Sequence, residues 1–119
     1  MTPINLADKF NQFEATWTPH IVAELNGQEV KLAKLEGEFV WHQHDGEDEL
    51  FWVVEGKLRI EMRDGSVTLR PGELFVVPAG VEHKPIAEPT ASVVLFEPAS
   101  TAHTGELETD RTVHDQPHL

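Results

Sequence analysis

WHQHDGEDELFWVVEG, residues 41–56, carries two histidines and four carboxylates between positions 42 and 49, then runs directly into an apolar segment. Residues 40–44 suit an extended strand, whose period of two places His42 and His44 on one face. After the loop 45–48, Glu49 opens the next strand. Phe51 and Val53 share its face, while Leu50, Trp52 and Val54 take the other. If the two imidazoles point inward, Glu49 does as well. Loop length alone does not decide which oxygen joins them, so Glu47 and Asp48 stay open as replacements for Glu49.

A fourth ligand candidate comes later, in PGELFVVPAGVEHKP (71–85). His83 follows a tight Pro-Ala-Gly turn and precedes Pro85, so its backbone is held between two stiff points. Glu82, its neighbour, should face the opposite way. Three neutral imidazoles and one carboxylate form a nitrogen-rich set with a single negative charge. Such a set suits a divalent first-row metal, with positions left for water or substrate.

Working outward, the rest of the chain reads as short strands. HIVAEL (20–25) and EVKLAKL (29–35) flank Asn26-Gly27, a dipeptide suited to a type I′ hairpin. KLRIEMR (57–63) alternates, with Leu58, Ile60 and Met62 on one face, and Asp64-Gly65 turns the chain into SVTLR. ELFVV and ASVVLFE (91–97) follow, each bounded by Pro or Gly turns. The one helix candidate runs from an Asn5 cap through Leu6 and Phe10 toward Phe13. Eight or so short strands with almost no helix predict a β-sandwich or barrel. Residues 1–98 are read as its single domain, and 99–119, polar and Thr-rich, as a surface-hugging or partly disordered tail.

Composition removes several function classes. With 21 Asp and Glu against 9 Lys and Arg, the net charge of −12 has the wrong sign for nucleic acid or anionic membranes. No apolar run approaches the ~20 residues of a membrane span, and the start MTPINLADKF lacks the pattern of a signal peptide; a cytoplasmic protein is expected. With no cysteine there is neither disulfide nor thiolate ligand, and with no tyrosine no phenol serves as an acid. His20, His103, His114 and His118 read as surface or packing residues. Phe39, Trp41 and Trp52 read as packing aromatics. Arg59 and Arg63 alternate with the apolar face and point outward, and no separate general acid or base stands out.

As a set, these residues resemble the cupin superfamily. Its first motif is matched by GEFVWHQHDGEDELFWVVEG, from Gly37 through His42, His44 and Glu49 to Gly56. Its second is matched by GELFVVPAGVEHKPIA, from Gly72 through Pro78, Gly80 and His83 to Ala87. Two departures stand out: four residues rather than five separate Gly37 from His42, and Ala87 replaces a closing asparagine. The resemblance implies a double-stranded β-helix, or jelly-roll barrel, and a metal set of His42, His44, Glu49 and His83. It is nearest to small single-domain bacterial cupins of the mannose-6-phosphate-isomerase-like type, a label that marks the barrel rather than an activity. Metal-free cupin epimerases use a His and Tyr pair, which a chain without tyrosine lacks.

Function is then argued from the site. One reading is a metal-dependent isomerase, lyase or dioxygenase acting on a small oxygenated molecule of the sugar, catechol or keto acid class, with Mn, Fe, Ni or Zn bound. The other is a module that binds or senses a small ligand without catalysis. A homodimer is expected, with the outward Trp52 in its interface.

Overall fold

The computed structural model describes residues 2–99 and 116–119. They form one short helix, α1 (Leu6–Phe10), and six strands: β1 (His20–Leu25), β2 (Gln28–Glu38), β3 (Glu49–Met62), β4 (Gly65–Leu69), β5 (Leu74–Val77) and β6 (His83–Pro98). The strands pair antiparallel in the order β1-β2-β6-β3-β4, with β5 also on β3. This antiparallel, nearly helix-free layout is that of a jelly-roll barrel. No helix among the described residues is long and apolar enough to cross a membrane.

The expected eight or so strands become six among the described residues. Residues 49–54 and 57–62, read as separate strands, are one 14-residue strand, β3. Its register against β6 shifts between Val53 and Glu55 and again between Gly56 and Leu58. Such bulges bend a strand without ending it. Likewise, residues 91–97 are the far end of the 16-residue β6, which begins at His83. In the opposite sense, 40–44 is not a strand: His42 makes an isolated bridge to His83.

Turn chemistry fixes the hairpins. Asn26 and Gly27 have φ of 49° and 78°, the type I′ pattern, and join Leu25 to its partner Gln28. The second turn sits one residue earlier than expected: Met62 pairs with Gly65, which leaves Arg63 and Asp64 at its tip.

β2 and β6 are covered on both faces. Outside, Leu32 lies opposite Val94 and packs under Phe10 and Phe13. Asn5 caps α1 by accepting from the Asp8 N–H at 2.9 Å, but the helix ends at Phe10, short of Phe13. Inside, Ala33 lies opposite Val93 and Leu35 opposite Ala91, and these pack with Phe51, Val53, Leu58 and Ile60 into the barrel core.

His20 is buried, stacked on Phe13 at 4.0 Å, whereas His118 is exposed. His103 and His114 lie outside the described residues, as does most of the 99–119 tail. Its last residues run along β1, where the Ile21 N–H donates to Pro117 O at 2.8 Å and the Leu119 N–H to Ile21 O at 2.9 Å.

Candidate metal centre

The two motifs are tied together by backbone bonds before any side chain is considered. His42 and His83 exchange N–H···O bonds of 3.0 and 2.9 Å, and the Gly80 N–H donates to His44 O at 2.9 Å. Asp48 accepts from the Ala79 N–H at 2.9 Å, which pins the acidic loop to the Pro-Ala-Gly turn. That contact holds the Asp48 carboxylate on the turn, while Glu49 is the buried carboxylate of the stretch and the one grouped with the three histidines. Asp45 accepts from the Gln43 side chain at 2.7 Å, again at the surface.

On this frame His42, His44, Glu49 and His83 converge. All four are buried, and each offers a ligand atom within 4.8 Å of the others. The Nδ1 of His42 lies 2.9 Å from Val40 O, and that of His83 lies 2.9 Å from Val81 O. A carbonyl can only accept, so each Nδ1 carries the proton and each Nε2 presents a lone pair to the centre. Glu49 Oε1 stands 3.3 Å from both His83 Nε2 and His44 Nε2. The His44 contact is too oblique for a hydrogen bond, which leaves a buried ring nitrogen with no partner. Buried polar atoms are rarely left so.

Burial, and then the nearby His83, lower the His42 pKa to about 4, so the ring is neutral through the physiological range. Burial alone would raise the Glu49 carboxyl. Its polar contacts with His44, His83 and Glu97 outweigh that and hold it well below the ordinary carboxylate range. An anionic oxygen among imidazole nitrogens fits a divalent cation. A first-row ion bonds such donors at about 2.0–2.2 Å, so opposed ligands stand about 4 Å apart, the scale of this cluster.

Other sequence expectations fall around the site. Glu82 points outward to Arg63, with a contact of 3.2 Å. The Arg63 guanidinium covers the Trp41 ring at 3.7 Å. Phe39 is a packing residue that also reaches the site, with its ring edge-on to His42 at 5.5 Å.

Four nearby residues were not singled out in the sequence. Trp17 stacks on Phe39 at 4.5 Å and holds a φ of 56°, unusual for a bulky side chain. Glu29, Lys31 and Glu97 form a buried polar group beside Glu49; Lys31 Nζ lies 2.9 Å from Glu97 Oε1 and 3.6 Å from Glu29 Oε1. The available signal was the period of two in EVKLAKL, which sets Glu29 and Lys31 on the face of Ala33 and Leu35.

Comparison with known proteins agrees with this geometry. A family model of the cupin domain (Cupin_2) matches residues 28–98. A cupin-2 domain containing protein from Shewanella frigidimarina is 49% identical, with a TM-score of 0.79 over 80% of this chain and 93% of that one. KdgF from Halomonas sp. is 31% identical, with a TM-score of 0.59 over 67% and 76%. The uncharacterized protein YdbB of Bacillus subtilis is 33% identical over 81 residues, which span 67% of this chain and 72% of that protein.

Proposed function

Because the chain belongs to the Cupin_2 family of cupin domains, we propose that it holds a divalent metal on His42, His44, Glu49 and His83 and uses it to bind, and in the enzymatic case transform, a small molecule with an oxygen ligand on an apolar body. Mn, Fe, Ni and Zn all suit these donors, and in a cell availability decides among them. The bound ion would supply Lewis acidity to a substrate oxygen.

One observation carries the choice of ligand. A narrow cavity of about 30 Å³ abuts the four-residue cluster, and its walls are apolar: Trp17, Phe39, Phe51, Leu35, Val93 and Leu95, with His42 and Glu49 as the polar side chains. Among the described residues no arginine or lysine lines it. A keto acid would bring a carboxylate that only the metal could compensate, and a sugar would strip several hydroxyls of water without returning hydrogen bonds. A catechol-like ligand would keep its oxygens at the metal and its ring against apolar walls once Trp17 and Phe39 move apart, since about 30 Å³ holds little more than a water. Phe39 and Trp17 then orient the ring, and the close packing excludes water.

Protein loaded in turn with Mn, Fe, Ni and Zn should bind catechols more tightly than sugars or keto acids, by isothermal titration. Tighter binding of a sugar or a keto acid would overturn this choice. Turnover of the bound ligand marks a metal-dependent enzyme; stable binding without turnover marks a binding or sensing module.

The same reading includes a homodimer. Trp52 pairs with Leu74 and Leu50 with Val76 across β3 and β5, and Trp52, Val54, Leu74 and Val76 are all exposed on the outer face. On a chain of net charge −12, an uncharged apolar patch of this kind suits contact with a second copy. Light scattering should give a dimeric mass that Trp52→Glu converts to a monomer. A monomeric parent protein would contradict it.

A further inference from the structure

The cavity that reaches His42 and Glu49 measures about 30 Å³, whereas small-molecule pockets ordinarily run to about 300–1,000 Å³. An organic ligand needs more room than that. Two stacked aromatics form part of the wall: Trp17 and Phe39, with ring centroids 4.5 Å apart and planes 13° from parallel. They are anchored differently. Phe39 is 6% exposed, its N–H donates to Pro85 O at 2.9 Å and its ring meets His42 edge-on, so it belongs to the packed end of the barrel.

Trp17 sits on residues 11–19, which form neither helix nor strand between α1 and β1. Thr16 bridges Lys34 and the Trp17 N–H donates to Lys34 O at 2.8 Å, so this main chain is fixed to β2. The side chain is held less firmly. It is half-buried, and its Nε1–H donates to the main-chain Glu36 O at 3.0 Å, a bond that water replaces at small net cost. Its φ of 56° lies in the left-handed region, where a bulky residue is strained, and such residues gather at ligand clamps and switch regions. With the main chain anchored and the indole bond exchangeable, Trp17 is the half of the stack free to turn.

We propose that Trp17 is a turning stopper that sets the size of molecule admitted to His42, His44, Glu49 and His83. With the indole on Phe39 the site admits water and small ions; rotation of the indole about its own side-chain bonds opens the apolar wall to a larger ligand. Phe39 stays in place and offers the face that Trp17 leaves. A ring-shaped ligand restores that stack and a sugar does not, so the stopper also selects for aromatic molecules. The identity of the ligand rests on the metal-centre reading, whereas the closure itself rests on the geometry of Trp17.

Two measurements test it, the first without metal. Diethyl pyrocarbonate, too large for the closed cavity, acylates imidazole nitrogens, and mass spectrometry reads the modification at His42. Trp17→Gly removes the stopper and suits the positive φ, so it should stay folded by circular dichroism. The stack and the Glu36 bond together hold the site closed, so His42 should react at least about tenfold faster in Trp17→Gly than in the parent. Trp17→Phe keeps a ring on Phe39 but loses the indole bond, and should fall between the two. In the second measurement, stopped-flow mixing with catechol, Co²⁺-loaded Trp17→Gly should associate at least about tenfold faster than the loaded parent, for the same reason. Equal His42 modification, or equal association, in a folded Trp17→Gly would overturn the proposal. So would a Trp17→Gly that fails to fold, since Trp17 would then be a packing residue. If His42 responds as expected and neither loaded protein binds catechol, the stopper is upheld and the reading of the ligand fails.

Discussion

His83→Ala is expected to lower metal affinity by more than about a hundredfold while leaving the barrel folded. Loss of a group that merely orients a metal ligand costs about 10–100-fold, and removing a ligand costs more. His83 is fully buried, and its Nε2 lies 3.3 Å from Glu49 Oε1. Alanine removes that nitrogen, and with it one of the four donors grouped around the centre. The fold should survive because the bonds joining the two motifs here are main-chain: His42 and His83 exchange N–H···O bonds of 3.0 and 2.9 Å that alanine can still make. Competition against a chelator of known affinity measures the change, and circular dichroism checks the fold. An unchanged affinity in a folded variant would remove His83 from the ligand set.

Gly56→Ala is expected to be the most damaging of the single glycine substitutions. Gly56 has a φ of 85° and pairs with Ala91 of β6 at the bulge that bends β3. A left-handed alanine costs about 1–2 kcal/mol anywhere. Here its Cβ would also overlap the carbonyl oxygen of Thr90 and come within 2.8 Å of Ala91 Cα, both backbone atoms of a central strand. Relief requires shifting β6, which adds about 1–3 kcal/mol. The total, about 2–5 kcal/mol, corresponds to a fall in Tm of roughly 10–20 °C for a chain of this size. Gly27 provides the control, with φ of 78° but nothing within 4 Å of a Cβ, so Gly27→Ala should show the strain alone. Equal Tm losses for the two would mean that the close approach of β3 to β6 does not matter.

The cluster of His42, His44, Glu49 and His83 was legible because its spacing obeys local rules: a period of two joins His42 to His44, and a turn between prolines fixes His83. That Asp48 is held away from the cluster was not legible, since it depends on a bond from Ala79 to Asp48, 31 positions apart. The long strand β3 was misread as two because a bulge at Gly56 resembles a turn in sequence while the pairing continues on either side. Lys31 and Glu97 were passed over for another reason. Charged residues in a strand usually face water, and β2 shows hydrophobic residues on both faces because the N-terminal segment covers its outer side. Only the pairing of β2 with β6 reveals that Lys31 and Glu97 meet.

The central claim is that four buried side chains form one metal site, and metal stoichiometry tests it most directly. Protein purified without chelator, incubated with Mn, Fe, Ni or Zn and freed of excess ion, should retain close to one equivalent of at least one of them per chain by elemental analysis. Retention well below one equivalent of every metal, unchanged by His83→Ala, would contradict it.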